Sequence, residues 1–273
     1  MDKSDKLRRN VGGWYREFPP PPPLADCVLQ LWEMRIPNFG EPAPVRILPN
    51  ASVDIVMYAS DPSVGEGLAS IVAPPHRSYV VGSTLRAFIV KSAGWRHVIG
   101  ASLLPGGVQP ILGMPARVIG ESIALLSDII GNEASIFEDR VLSGDPNRVL
   151  ERLAQSMIVL RGSLAPPSEL VQRAVGLVHQ GSGNRRIEDL ASDMSVSTRK
   201  LERHFLEQLG LTPKLFSRLV RFDRAVRGLA KRGEMPWSQF ALTHGYTDQA
   251  HFINEVKEFA GVTPAELENE QRA

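Results

Sequence analysis

Apolar positions follow one period in the first part of the chain and another in the rest. Between residues 26 and 104 they fall in short runs rich in Val, Ile, Leu and aromatic residues, broken by Pro and Gly, which predict strands over 27–36, 45–48, 53–58, 79–90 and 97–103. Several short strands at this spacing make a small barrel or sandwich. Ahead of them lie a polar stretch to residue 18 and five consecutive prolines, 19–23, which predict an extended arm or spacer. Beyond Pro105-Gly106-Gly107 the period lengthens. Short helices are expected over 108–112 and 133–142, and a longer one over 147–160, where Val149, Leu150, Leu153, Met157 and Leu160 form one stripe. The breaker-rich segment 161–167 marks a domain boundary, giving a β-rich domain with a helical appendage over 1–162 and a second domain over 163–273.

In that second domain one pattern is written twice. Ala191, Leu201, Phe205 and Gly210-Leu211-Thr212-Pro213 are answered by Ala241, Phe252, Val256 and Gly261-Val262-Thr263-Pro264, with 51 positions between Pro213 and Pro264. Each copy reads as a short helix ending near Met194 or Thr243, a turn, and a second helix opening at Ser197 or Thr247. Leu201/Phe205 and Phe252/Val256 lie four apart on one buried stripe, and Ala191 and Ala241 are small where the helices cross. Gly245 supplies a left-handed turn residue, and Ser195 takes its place in the first copy. After each second helix come a Gly cap, then Thr as N-cap and Pro as first helical residue. Residues 212–232 then form the helix connecting the two units.

Residues 187–267 resemble the tandem DNA-binding domain of the AraC-type transcription regulators, most clearly in Gly245-Tyr246-Thr247-Asp248-Gln249-Ala250-His251-Phe252 and Phe259-Ala260-Gly261-Val262-Thr263-Pro264. The resemblance implies a sequence-specific regulator that binds double-stranded DNA at two adjacent major-groove segments. It also implies an α+β chain, with a cupin-like β-rich domain ahead of an all-α tandem helix-turn-helix domain. By alignment with the family, base contacts fall to Arg199, Glu202 and Arg203 in the first reading helix and to Gln249 and Asn254 in the second. Arginine matches guanine bidentately, Gln and Asn suit adenine, and Glu accepts from cytosine. Ala250 has no donor, and Asn254 stands where family members often carry Arg. Ser197, Thr198, Lys200, Lys214, Arg218, Thr247 and His251 are the candidate phosphate contacts. Lys214 and Arg218 begin a basic run that continues through Arg221, Arg224, Arg227 and Lys231.

The first domain resembles, less specifically, the sensor domains that precede such DNA-binding domains, through Arg46-Ile47-Leu48-Pro49-Asn50 with Asp54, Val81-Gly82 and Leu104-Pro105-Gly106-Gly107. Trp32, Arg46, Asp54, Trp95 and His97 are the candidates for a small-molecule effector pocket. No metal site or cofactor is expected, because only His76 and His97 of six histidines lie in this half. No Ser/His/Asp order, glycine-rich phosphate loop or CxxC points to an enzyme. Control by a protein partner or by self-association is the alternative to a metabolite, and a cupin enzyme fused to a DNA-binding domain is the other class to separate. RNA polymerase and a second copy of the chain are the further partners compatible with a regulator.

Composition adds three points. One cysteine, Cys27, forbids an intramolecular disulfide, and the chain has no apolar run of about 18 residues, so a cytoplasmic protein off the membrane is expected. The formal net charge is only +1, but its distribution is uneven. Residues 195–233 carry ten Lys/Arg against three Asp/Glu, a balance of +7, and residues 234–273 carry two against seven, a balance of −5. The basic segment is the one to meet phosphate.

Overall fold

The computed structural model describes residues 14–36, 44–59, 78–91, 96–162 and 166–272. Among the described residues eight strands come first: β1 (Trp14–Phe18), β2 (Val28–Ile36), β3 (Pro44–Ile47), β4 (Val53–Tyr58), β5 (Ser78–Val81), β6 (Phe88–Lys91), β7 (Arg96–Leu103) and β8 (Ile123–Leu125). Six form an antiparallel sheet in the order β1-β2-β7-β4-β5-β8, and β3 pairs with β6 as a separate ribbon. Around and after β8 lie α1 (Val108–Leu112), α2 (Ala116–Ile119), α3 (Leu126–Ile130), α4 (Glu133–Leu142) and α5 (Val149–Arg161). This is the β-rich half with a helical appendage that the sequence indicates.

Side chains alternate across a strand, so the sheet has two distinct faces. Leu31, Ile55, Met57, Val80, Ile99, Ala101 and Leu103 share one cluster with Val108, Ile111, Leu126, Phe137, Val141, Leu153 and Met157, so the helices cover that face. The stripe on α5 is thus buried against its own sheet. The opposite face carries Val56, Tyr58, Tyr79, Val81 and Val98, with Trp32, Met34, Ile123 and Leu125 against them. Trp32 lies so close over β7 that a Cβ at Gly100 would sit 2.3 Å from its ring, so only glycine fits there.

Three expectations are corrected. Residues 14–18 are not part of an arm: β1 pairs with β2 along its length, Tyr15 with Met34 and Glu17 with Trp32. The proline tract does not stay extended to its end, because Pro22–Leu24 closes a 3-10 turn that buries Leu24 fully. Arg161 holds this turn by hydrogen bonds to the Pro23 carbonyl and to Asp26, at 2.6 and 2.7 Å for the two carboxylate contacts. The run 79–90 is broken into β5 and β6, which belong to different sheets.

The helical half contains α6 (Glu169–Gln180), α7 (Ile187–Asp193), α8 (Thr198–Leu209), α9 (Pro213–Leu229), α10 (Trp237–Thr243), α11 (Gln249–Ala260) and α12 (Pro264–Arg272). Helices α7 and α8 make one helix-turn-helix unit, α10 and α11 the second, and α9 joins them. One apolar cluster runs through all of it, from Val171 on α6 through Phe205, Phe216 and Phe222 to Phe252, Phe259 and Leu267. Edge-on ring pairs mark where α9 meets each unit: Phe216 with Phe205 at 5.8 Å, and Phe222 with Phe259 at 5.2 Å. The punctuation is as the repeat predicts. Gly210 and Gly261 cap α8 and α11 in the left-handed conformation, and Thr212 accepts from the Leu215 N–H at 3.2 Å ahead of Pro213.

Candidate nucleic-acid interface

Each reading helix is started by a local device. Ser195 (φ 53°) and Gly245 (φ 81°) turn the chain left-handedly between the two helices of their units. Ser197 then caps α8 by accepting from the Lys200 N–H at 3.2 Å, and Asp248 caps α11 by accepting from the His251 N–H at 2.8 Å. That backbone hydrogen bond is the main cause holding the Asp248 carboxyl below its ordinary value. Both N-terminal turns therefore have satisfied ends and present their polar side chains outward.

On α8, Leu201, Phe205 and Leu209 are buried, while Ser197, Thr198, Arg199, Lys200, Glu202 and Arg203 are exposed. On α11, Phe252, Glu255, Val256, Phe259 and Ala260 are buried, while Thr247, Gln249, Ala250 and Asn254 are exposed. His251 is half-buried, with Nδ1 3.1 Å from the Thr247 hydroxyl. Lys214, at the start of α9, is exposed. A groove of about 660 Å³ separates the units, with Arg186, Lys214, Arg218, Arg221, His251 and Asn254 among its lining.

Arg218, one of the phosphate candidates, already has protein partners. It is partly buried, with Nε donating to Glu255 at 2.8 Å and Nη2 to Glu258 at 2.6 Å. Arg221 is engaged in the same way with Glu255, and Arg232 with Glu268 at 2.8 Å. Setting these three cations and three anions aside lowers the local balances from +7 to +4 and from −5 to −2. The charge asymmetry is smaller than the sequence count indicates, and its sign is kept. Glu255, which the sequence reading used only as one more negative charge, is the residue on which two of these arginines converge.

The five effector-pocket candidates do not come together. Trp32 and Asp54 lie on the sheet face away from the helices; Asp54 is bonded by the Ser102 hydroxyl, and burial raises its carboxyl pKa. His97 has the parity of Ile99 and Ala101, on the helix-covered side, with Nε2 2.6 Å from Glu33. Burial and nearby Arg35 lower the His97 pKa against the opposite pull of Glu33. Arg46 leaves the sheet altogether, because the ribbon β3–β6 sends it to the helical half. Trp95 lies outside the described residues. Cys27 is buried, its thiol pushed up to about 12 by loss of solvent. Among the described residues no cluster of three or more His, Cys, Asp or Glu could hold a metal, and no helix is long and apolar enough to cross a membrane.

The far ends of both reading helices rest on the N-terminal half. Arg46 donates through Nη1 to the Ala260 carbonyl at 2.9 Å and through Nε and Nη2 to Glu270 at 2.9 and 3.0 Å. The Ala87 N–H, just ahead of β6, donates to the Phe259 carbonyl at 2.7 Å, so the ribbon and the residue leading into it satisfy open carbonyls at the end of α11. At the end of α8, Glu207 pairs with Arg117 at 3.6 Å, and a Cβ on Gly210 would lie 3.2 Å from the Ala116 carbonyl.

Comparison with known proteins gives matches over both halves of the chain. A family profile described as a helix-turn-helix domain covers residues 190–270, and one described as a domain of unknown function, DUF6597, covers 16–123. The HTH-type transcriptional regulator ArgR of Pseudomonas aeruginosa is 29% identical over 153 residues, 55% of this chain and 45% of ArgR, so the chain spans less than half of that relative. Among solved structures, the C-terminal domain of AraT, a response regulator from Geobacillus stearothermophilus, is 25% identical with a TM-score of 0.36, covering 38% of this chain and 86% of that one. ToxT from Vibrio cholerae, bound to an unsaturated fatty acid, is 14% identical with a TM-score of 0.43, covering 89% of this chain and 95% of ToxT. Residues 190–270, with the motif repeated within them, thus form a helix-turn-helix domain of the AraC type.

Proposed function

We propose that the protein regulates transcription by placing the N-terminal turns of α8 and α11 in two adjacent major-groove segments on one face of double-stranded DNA. The observation that carries this reading is the pair of capped helices with buried apolar stripes and exposed polar openings, built on the single scaffold helix α9. Arg199, Glu202 and Arg203 read bases in the first segment, and Gln249 and Asn254 in the second. Ser197, Thr198, Lys200, Lys214, Thr247 and His251 meet phosphate.

Arg203→Ala should weaken specific binding by about 1–3 kcal/mol and relax preference at one base pair. Selection of binding sites from a random pool by both proteins is the check; an unchanged preference would remove Arg203 from the reading set.

The N-terminal half, residues 1–162, is the controlling domain, and a small-molecule effector would sit against the sheet face that holds Trp32 and Asp54. Residues 163–273 form the reader. A fragment of residues 166–273 should keep its helical circular dichroism and bind the operator as a monomer, since its apolar cluster lies almost wholly within it. An unfolded fragment would show that the reader depends on the contacts made by Arg46 and Ala87.

A further inference from the structure

Three charged side chains meet between α9 and α11, around a buried carboxylate. Glu255 is 3% exposed, and both its oxygens are taken. Arg218 Nε donates to Oε2 at 2.8 Å, while Arg221 Nη2 donates to Oε1 at 3.0 Å and to Oε2 at 2.8 Å. The guanidinium of Arg218 lies 4.8 Å from the centre of the Phe259 ring, and that of Arg221 lies 4.9 Å from the centre of Tyr246. Both rings belong to the core of the second unit.

Apolar contact alone holds two helices together without dictating how far one slides or turns on the other, because it is non-directional. Planar guanidinium–carboxylate bonds are directional. Arg218 and Arg221 are one turn apart on α9 and converge on one carboxylate, so they key both the height and the rotation of α11. The same α9 packs on the first unit through Phe216 and Phe205. Glu255 directly follows Asn254 and lies one turn after His251, so whatever fixes it also fixes those two exposed positions.

We propose that the Arg218–Glu255–Arg221 cluster is a positioning device that sets the distance and rotational phase between the two reading helices, and with them the half-site separation the protein accepts. It rests on the reading that both α8 and α11 enter DNA. A buried ion cluster adds little net stability over apolar residues of like volume, so directional placement is what this one contributes.

The test is binding of the full chain to duplexes carrying the selected operator with zero, one or two base pairs inserted between half-sites. Each insertion moves the second half-site by about a tenth of a helical turn. Wild-type protein should lose about tenfold in affinity per insertion, the scale of one disrupted base-pair contact. Glu255→Ala takes the shared carboxylate from two partly buried cations and risks unfolding the unit. The informative variant is therefore Arg218→Met with Glu255→Leu and Arg221→Met, with Glu255→Gln, which keeps the shape, measured in parallel. Loss of spacing discrimination to about twofold in either folded variant, with base preference inside each half-site unchanged, supports the proposal. A wild-type spacing profile in both variants overturns it, as does a wild-type protein indifferent to spacing. Absence of any sequence-specific binding by the wild type would instead overturn the DNA-binding reading on which it stands.

Discussion

Phe252→Ala is expected to remove about 3–5 kcal/mol of stability and to leave a protein that protects only the first half-site of its operator. Phe252 is fully buried and is the hub of the second unit: Tyr246 stands at 5.0 Å, Phe240 at 5.5 Å and Trp237 at 5.9 Å between ring centroids. These three rings come from α10 and from the turn between α10 and α11, so truncation opens a cavity where the two helices cross. A domain is stable by only about 5–15 kcal/mol in total, so a loss of this size can melt one unit while the other survives. At the first unit the same cluster is carried by Leu201, Phe205 and Phe216, none of which is among the rings around Phe252. Urea denaturation and footprinting together check the outcome. Full protection of both half-sites by the variant would show that α11 does not depend on this packing.

The second large effect is an operator with unequal halves. Arg199 and Arg203 supply bidentate donors in the first reading helix, while Gln249, Ala250 and Asn254 present fewer donors in the second. The electrostatic difference points the same way, from +4 around the first unit and α9 to −2 beyond it, after the internal ion pairs are set aside. Each neutralised phosphate releases about 0.9 counterion, so the second unit adds little of that contribution. Asn254→Ala should therefore be tolerated better than Arg203→Ala. Asn254→Arg should raise affinity and steepen the salt dependence by about one unit. Substituting every operator base pair in turn measures this directly. Equal costs in both halves would mean that backbone contacts or DNA bending carry the second segment.

The local devices were legible in the sequence because they depend on neighbours within a few residues. Gly210 and Gly261 cap their helices, Ser195 turns left-handedly in place of glycine, and Thr212 with Pro213 opens α9, all as the repeat indicates. The strand β1 was missed because Trp14–Phe18 carries Arg16 and Glu17 and follows a polar stretch; its pairing with β2 across the proline turn is what makes it a strand. The protein partners of Arg218 and Arg46 were not legible for a related reason. A basic residue on a helix or strand looks the same whether it faces phosphate, ligand or protein. Their partners, Glu255 and Glu270, stand 37 and 224 positions away. Trp32 and Asp54 share a face and His97 does not, a matter of strand parity that irregular strand ends hide in a sequence.

The grip of the β3–β6 ribbon on the end of α11 makes that helix a lever. Its 12 residues span about 18 Å, with Arg46 and Ala87 holding one end and Gln249 at the other. Because the Arg218–Glu255–Arg221 cluster keys α11 to α9, the two move as one body, and a tilt of about 5° at the held end sweeps the Gln249 end through about 1.5 Å, half the length of a hydrogen bond. Displacements in the β-rich half too small to disturb its own packing are thus magnified where the side chains would meet bases.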